Sequence, residues 1–573
     1  MTLSARIGLL GLVVCTLLAG CTSGRPTPET SPSGAGPASP TTPKRVTAAI
    51  RGAANSMAQA KTQRLVGSVA GLDAVEELIH TGLTHRGVDG ILAPRLAQTT
   101  PSIENGLWQV NPDGRMRTSW TLRPDARWQD GAPLTTADLL FAVAVEQDAE
   151  LGLPRNPAYD LIESVEAADE RTIVVNWKRP YIEADAMFGH LVGLPLPRHL
   201  LERPFNEDKP NFFSLPYWTD AYVGAGAFRI REWVPDSHAV MQANDTYVLG
   251  RPRIDEIEVR FMPDPNTVVA NLLAGTVHVT LGRGPSFEQG MHLKENWREG
   301  QVIFRPGGWI VITPQLLTPS PAIVGNLEFR RALLHAIDRQ ELVESLMAGQ
   351  SSVGHAFISP EDPDFGAVEP AILKYDYDPQ RARRILDELG LARGADGMLE
   401  VGGQRLSVEI STTVQNDMHL KSMPATAAYW KQVGVAVDQV PIPLQRIQDR
   451  EYRATFPAFT LGLMQVGLSP QDVMRYHSSA TPLPENRFAV TGNTARYMNA
   501  EQDALLERYT TTVPRDERLR TLGQLINHQT TNVTAMGLFH YVNPTMVASR
   551  LQNVTGRSVG ATEAWNAHLW ELK

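Results

Sequence analysis

Cysteine is nearly missing from this chain of 573 residues: there are two, Cys15 and Cys21. So few cysteines exclude a disulfide framework and any metal site built from several thiolates. Basic runs are missing as well. Lysine and arginine are scattered and the formal charge is −9, which leaves no electrostatic footprint for nucleic acid. No Gly-Lys pair occurs, so there is no phosphate loop. The 14 histidines are dispersed, and His80 and His85 lack the one-turn spacing with a neighbouring Glu that a metalloprotease helix needs. Gly349-Gln350-Ser351-Ser352-Val353 lacks the second glycine of a nucleophile elbow. Gly224-Ala225-Gly226-Ala227-Phe228-Arg229 starts like a dinucleotide fingerprint, but Arg229 stands where the third glycine belongs, and the segment reads as a tight turn between strands. Carboxylate pairs such as Glu166 and Glu170 are common at this acidity and assign no glycosidase. No catalytic residue, metal ligand or cofactor is therefore expected, and the chain is read as a non-enzyme.

What is present begins at the N-terminus. Arg6 precedes an apolar or small stretch from Ile7 to Leu18. It is too short for a membrane span, which needs roughly 20 apolar residues. Residues 1–20 read as a secretory signal. Leu18-Ala19-Gly20-Cys21 resembles a bacterial lipobox, which implies cleavage before Cys21 and its diacylation. Cys15 then leaves with the signal, and no free thiol remains. Thr22 to Lys44 is rich in Pro, Ser, Thr and Gly and lacks aromatics, so residues 21–45 are expected to be a lipidated cysteine and a disordered tether. At about 3 Å per residue the tether could reach about 70 Å. Two acyl chains would hold the body at the outer face of a cell membrane.

From Val46 onward the chain reads as globular. With 42% hydrophobic residues and no disulfides, it must be held by its core, and its length predicts two or three lobes. Asp378-Pro379 opens a helix with Ala382, Ile385, Leu386 and Leu389 on one face and Gly390 at its end. Thr135 with Asp138, and Asp338 with Glu341, form capping-box-like pairs ahead of apolar residues. Thr172–Val175, Ile257–Phe261 and Ser407–Ile410 have the look of strands. The fold class is α/β.

Several stretches, in order, resemble the bacterial extracellular solute-binding family 5 of dipeptide, oligopeptide and nickel-chelate binders. Trp120-Thr121-Leu122-Arg123-Pro124 through Trp128-Gln129-Asp130-Gly131-Ala132-Pro133-Leu134-Thr135 to Asp138 is similar to its signature. Gly224-Ala225-Gly226-Ala227-Phe228 with Asn244 and Tyr247 follows. Leu273-Ala274-Gly275 comes next, with His278 where Asp is usual. Phe329-Arg330-Arg331-Ala332 with Ala336-Ile337-Asp338-Arg339, Tyr377-Asp378-Pro379 with Ala382, and Tyr497 with Asn499, Asp503 and Leu506 complete the set. Asp130-Gly131 reads as a turn, Trp120 and Trp128 as packing residues, and Arg339 as a solvated or salt-bridged helix residue.

The resemblance implies a periplasmic-binding-protein-like two-lobed fold with an extra inserted domain, the oligopeptide-binding type, class II. Lobe I takes residues 46–88, 222–303 and 541–573; the insert takes 89–221; lobe II takes 304–540. Crossings near Phe304–Pro314 and Met536–Pro544 form the hinge. It further implies a monomer that captures an oligopeptide or peptide-like solute by hinge closure and delivers it to ABC permease subunits. A non-transport regulatory or scaffold lipoprotein on the same fold is the alternative. The family's Trp and Asp of lobe II are replaced here by Leu463-Met464-Gln465-Val466-Gly467, with Asp472 further on, so the anchor for a free α-amino group is altered. Trp309, Gln315, Met464, Gln465, Asp472, Asn493 and Tyr541 are the expected cleft residues.

Overall fold

Helix starts in this protein are set by side chains that take up free backbone amides. In the computed structural model the Thr135 amide donates to Asp138 Oδ2 at 2.9 Å ahead of helix Thr136–Gln147. Asp138 Oδ1 takes the Arg198 amide at 2.9 Å, so one carboxylate serves that helix and the start of helix Arg198–Glu207. Asp338 accepts from the Glu341 amide at 2.9 Å before helix Arg339–Met347, and Asp378 from the Arg381 amide at 2.7 Å before helix Pro379–Glu388. The last helix buries Ala382 and Leu386 and stops before Gly390, whose φ is +76°. The three expected strand runs fall in strands Thr172–Trp177, Glu256–Phe261 and Ser407–Thr413. The structure describes residues 42–52, 56–57, 69–152, 156–190, 192–414, 416–489, 492–558 and 560–573. Cys21, the signal and the tether up to residue 41 lie outside these.

Two readings change. Arg339 is neither solvated nor salt-bridged. It is buried, and its guanidinium donates to the carbonyls of Gly537 and Tyr375, because helix Arg339–Met347 turns that side chain under the sheet. Gly224 and Gly226 do not form a turn between strands. A Cβ on Gly224 would stand 2.1 Å from Ile79 O, and one on Gly226 would stand 2.4 Å from His80 N. These glycines let the backbone lie against the end of helix Leu72–Ile79.

A ten-stranded sheet organises the body. Its two longest strands, Gly300–Pro314 and Met536–Ala548, stand fourth and fifth across it and form its middle pair, antiparallel from Gly300 opposite Ala548 to Ile312 opposite Met536. On one side lie Phe459–Met464, Ser407–Thr413 and Ala436–Ile442; on the other lie Val279–Thr280, Arg45–Ile50, Glu256–Phe261, His238–Ala243 and Phe228–Val234. Both segments expected to carry the chain between lobes lie in the two middle strands. Their register shifts between Pro306 and Gly308. Glycine is required at Gly308, whose φ is +154° and where a Cβ would meet the backbone oxygen of Met464 at 2.7 Å; at Gly307 a Cβ would have to displace the Asn543 side chain.

Alternation along these strands feeds different cores. Ile310 and Ile312 pack with Phe329, Ile410, Trp430 and Phe459, whereas Trp309 and Val311 face the other side with Phe357, Leu522 and Ile526. A further core gathers Val46, Ile257, Phe228, Trp218 and Trp570. Trp120, Trp128 and Trp177 are fully buried beside a separate four-stranded sheet formed by Trp108–Val110, Met116–Thr121, Thr172–Trp177 and Ile162–Ala167. Helix Thr136–Gln147 joins two of these cores, giving Leu139 to the core of the four-stranded sheet and Phe141 to the core around Val46.

Candidate functional site

Where the two middle strands shift register, a cleft of about 650 Å³ opens. Pro306, Gly307, Tyr541 and Asn543 form its floor. One wall carries Arg283, Ser286, Glu288 and Arg557, and the opposite wall carries Asn416, Asp417, Gln465 and Asp472.

Helix caps place much of this lining. Ser286 caps helix Phe287–Asn296, with its own amide donating to Gln289 Oε1 at 2.8 Å and its hydroxyl donating to Glu288 Oε2 at 3.0 Å. Asn416 caps helix Asp417–Gln432 by accepting from the Met418 amide at 2.9 Å. Asp472 sits in the short helix Pro470–Met474, where its carboxylate takes the Ser469 hydroxyl at 2.7 Å and Arg475 Nη2 at 2.7 Å.

The charges are mixed in sign. Lys421 Nζ reaches Glu288 Oε1 at 2.6 Å. Burial alone would raise the Glu288 carboxyl, but the Lys421 hydrogen bond holds it below its ordinary range. Arg557 is held by Asp73 at 2.8 Å and Glu563 at 3.5 Å. Those carboxylates outweigh its burial and raise its pKa. Arg283 is exposed and meets no carboxylate within ion-pair range among the described residues. Burial first, then the nearby Glu288 carboxylate, pushes the Tyr541 phenol up, with Arg283 opposing. The lining offers donors, acceptors and both charges around an open space, a composition suited to holding a polar molecule.

Of the seven expected cleft residues, Gln465, Asp472 and Tyr541 line this space. The other four stand elsewhere. Trp309 is 3% exposed and packs on the face of its strand that looks into the helices. Gln315 is fully buried; its amide donates to the carbonyls of Ala454 at 3.3 Å and Phe456 at 3.1 Å and its oxygen accepts from the Leu317 amide. Met464 and Asn493 border a separate small void with Tyr476 and Tyr497. Asn493 there accepts from the Tyr497 amide at 3.1 Å. Arg283, Glu288, Asp417 and Arg557 were missed by sequence reasoning. The Ser286/Gln289 spacing and Asn416 were the available signals, since each marks a helix start.

One cluster lies outside the cleft lining. Glu77, His85 and His190 place one ligand atom each within 4.8 Å of one another. Their positions in sequence gave no such grouping.

The family model of bacterial extracellular solute-binding proteins, family 5, matches residues 95–484. The oligopeptide-binding protein AppA of Bacillus subtilis is 22% identical over 422 residues, 69% of this chain and 70% of its own. A Brucella ovis protein named for ABC-transporter peptide binding is 25% identical over 333 residues, and the chain spans only 58% of that relative's length. In fold, the chain resembles NikZ from Campylobacter jejuni, solved with Ni(L-His), at a TM-score of 0.71 and 20% identity over 92% of this chain and 99% of that one. It also resembles B. subtilis AppA, solved with a nonapeptide, at a TM-score of 0.66 and 18% identity over 93% and 100%. With the family model covering well over half of the chain and two lobes meeting at an open polar cleft, the chain belongs to the bacterial extracellular solute-binding proteins of family 5, and it is a binding protein rather than an enzyme.

Proposed function

We propose that this chain is the capture subunit of an ABC importer, working outside the cytoplasm and tethered to the cell membrane by a lipid on Cys21. The observation that carries this reading is the cleft itself. It is bounded by both sheet flanks and floored by the two strands that join them, so bending at Pro306–Gly308 would close it on a solute. Lobe I would take residues 46–88, 222–303 and 541–573, the insert 89–221 and lobe II 304–540, with residues 196–218 of the insert adding to the lobe I core. No helix among the described residues is long and apolar enough to cross a membrane, and a lipid would serve instead.

The solute would be peptide-like and polar. A volume of about 650 Å³ lies within the range of clefts that hold small molecules. Asp472 and Asp417 offer carboxylates to a cationic group, and Arg283 offers a guanidinium to a carboxylate. The relatives named for peptides support this class. Closed over the solute, the monomer would dock on permease subunits.

Native mass spectrometry of the full chain purified without refolding tests this. A retained small molecule, released and identified, is the expected result. An empty protein showing no thermal shift with peptides, glycan fragments or chelates would overturn the capture reading and leave a regulatory lipoprotein on the same fold.

A further inference from the structure

We propose that Glu77, His85 and His190 bind one zinc-class divalent cation behind the wall of the cleft. Three separate segments bring these side chains together: the last turn of helix Leu72–Ile79, strand Thr84–Arg86, and the stretch after the short helix Ala184–Ala186. His85 Nε2 stands 2.9 Å from Glu77 Oε1, and both side chains are nearly buried, at 4% and 7% exposure. All three ligand atoms lie within 4.8 Å. Zinc with bonds of 2.0–2.1 Å would hold such atoms about 3.3 Å apart, so shifts of about 1 Å complete the site.

The ring nitrogens supply an independent observation. Nε2 of His85 and Nε2 of His190 are both buried and neither makes a well-directed hydrogen bond among the described residues. His85 Nε2 still has the Glu77 carboxylate at 2.9 Å, but His190 Nε2 is buried beside that pair with no partner among the described residues, a costly arrangement unless something binds it. The surroundings hold the ligands in place. The Thr562 hydroxyl donates to Glu77 Oε2, and the His85 ring stacks on Trp565 at 6.3 Å with 6° between planes.

Charge favours a cation as well, since Glu77 sets a carboxylate beside the two imidazoles. The C-terminal end of helix Leu72–Ile79 adds a negative potential. Two imidazoles with a carboxylate select zinc-like ions over magnesium or calcium, which prefer oxygen ligands. Asp73 on the same helix pairs with Arg557 of the cleft wall at 2.8 Å, so the ion would brace the helix that holds that wall.

The test uses the full chain, stripped with a chelator, dialysed and titrated with zinc chloride by calorimetry and thermal unfolding. One zinc per chain and a raised Tm are expected, with affinity falling at least about tenfold and the Tm rise lost in His190→Gln. X-ray absorption of the zinc-loaded native chain, which needs no variant, should show two imidazole ligands. The proposal is overturned if the stripped native chain binds no stoichiometric zinc, if folded His190→Gln binds it equally well, or if the absorption spectrum shows fewer than two imidazoles.

Discussion

Among individual residues, burial and charge pairing decide what each side chain can do. Glu183 shows this beside the cleft's Asp472. Burial, with Asp185 and Asp472 nearby, pushes its carboxyl up to about 7, against the pull of Arg86 at 3.9 Å and a hydrogen bond from Tyr181. Its folded pKa lies above its unfolded one, so between these values the folded chain binds the extra proton. Glu183 therefore favours folding below about pH 4.5, and that contribution is lost as pH rises toward about 7. The loss amounts to about 3 kcal/mol at most. Denaturant unfolding across this range should show stability falling for the native chain and a flatter profile for Glu183→Gln; parallel profiles would contradict it. His278, standing where the resembled family has Asp, still offers an acceptor. Its Nδ1 takes the Thr47 amide at 2.8 Å, and burial with Arg550 nearby takes its pKa down to about 4.

At the level of secondary elements, capping was the most legible feature in the sequence. Asp338, Asp378 and Thr135 with Asp138 each start the helix expected of them. These signals are legible because they act over three residues and need no tertiary contact. Asp338→Ala should cost about 1 kcal/mol of stability with little change in fold. Urea unfolding with an unchanged m-value checks this; no loss at all would mean that the cap amide finds another acceptor. What an element faces was less legible. Trp309 and Ile310 are neighbours in one strand yet serve different cores, and only the alternation of the pleat, once the helices are placed, says which core each side chain joins.

For the molecule as a whole, the sheet's middle pair of strands joins the two flanks, and an ion pair spans the cleft walls. Lys421 on one wall reaches Glu288 on the other at 2.6 Å, with the two side chains 47% and 42% exposed. An ion pair this exposed is worth less than about 1 kcal/mol. Lys421→Ala should therefore weaken binding of whatever solute is recovered by about two- to fivefold, mainly through faster release, and leave the Tm nearly unchanged. Stopped-flow release kinetics would show it; an unchanged rate would place the pair outside the closing motion.

The sequence by itself determined the α/β class, the family and the two-lobed plan, because helix caps, turn glycines and alternating apolar runs act locally and six motifs recur in order. Of the seven residues it offered for the cleft, Gln465, Asp472 and Tyr541 line the open space and four do not. Only the tertiary structure decided that Arg283, Glu288, Asp417 and Arg557 join them, that Arg339 and Gln315 are buried against backbone carbonyls, and that Glu77, His85 and His190 meet. The physical reason is separation along the chain. Residues more than 100 positions apart become neighbours through sheet register and helix packing, and no local spacing records that meeting.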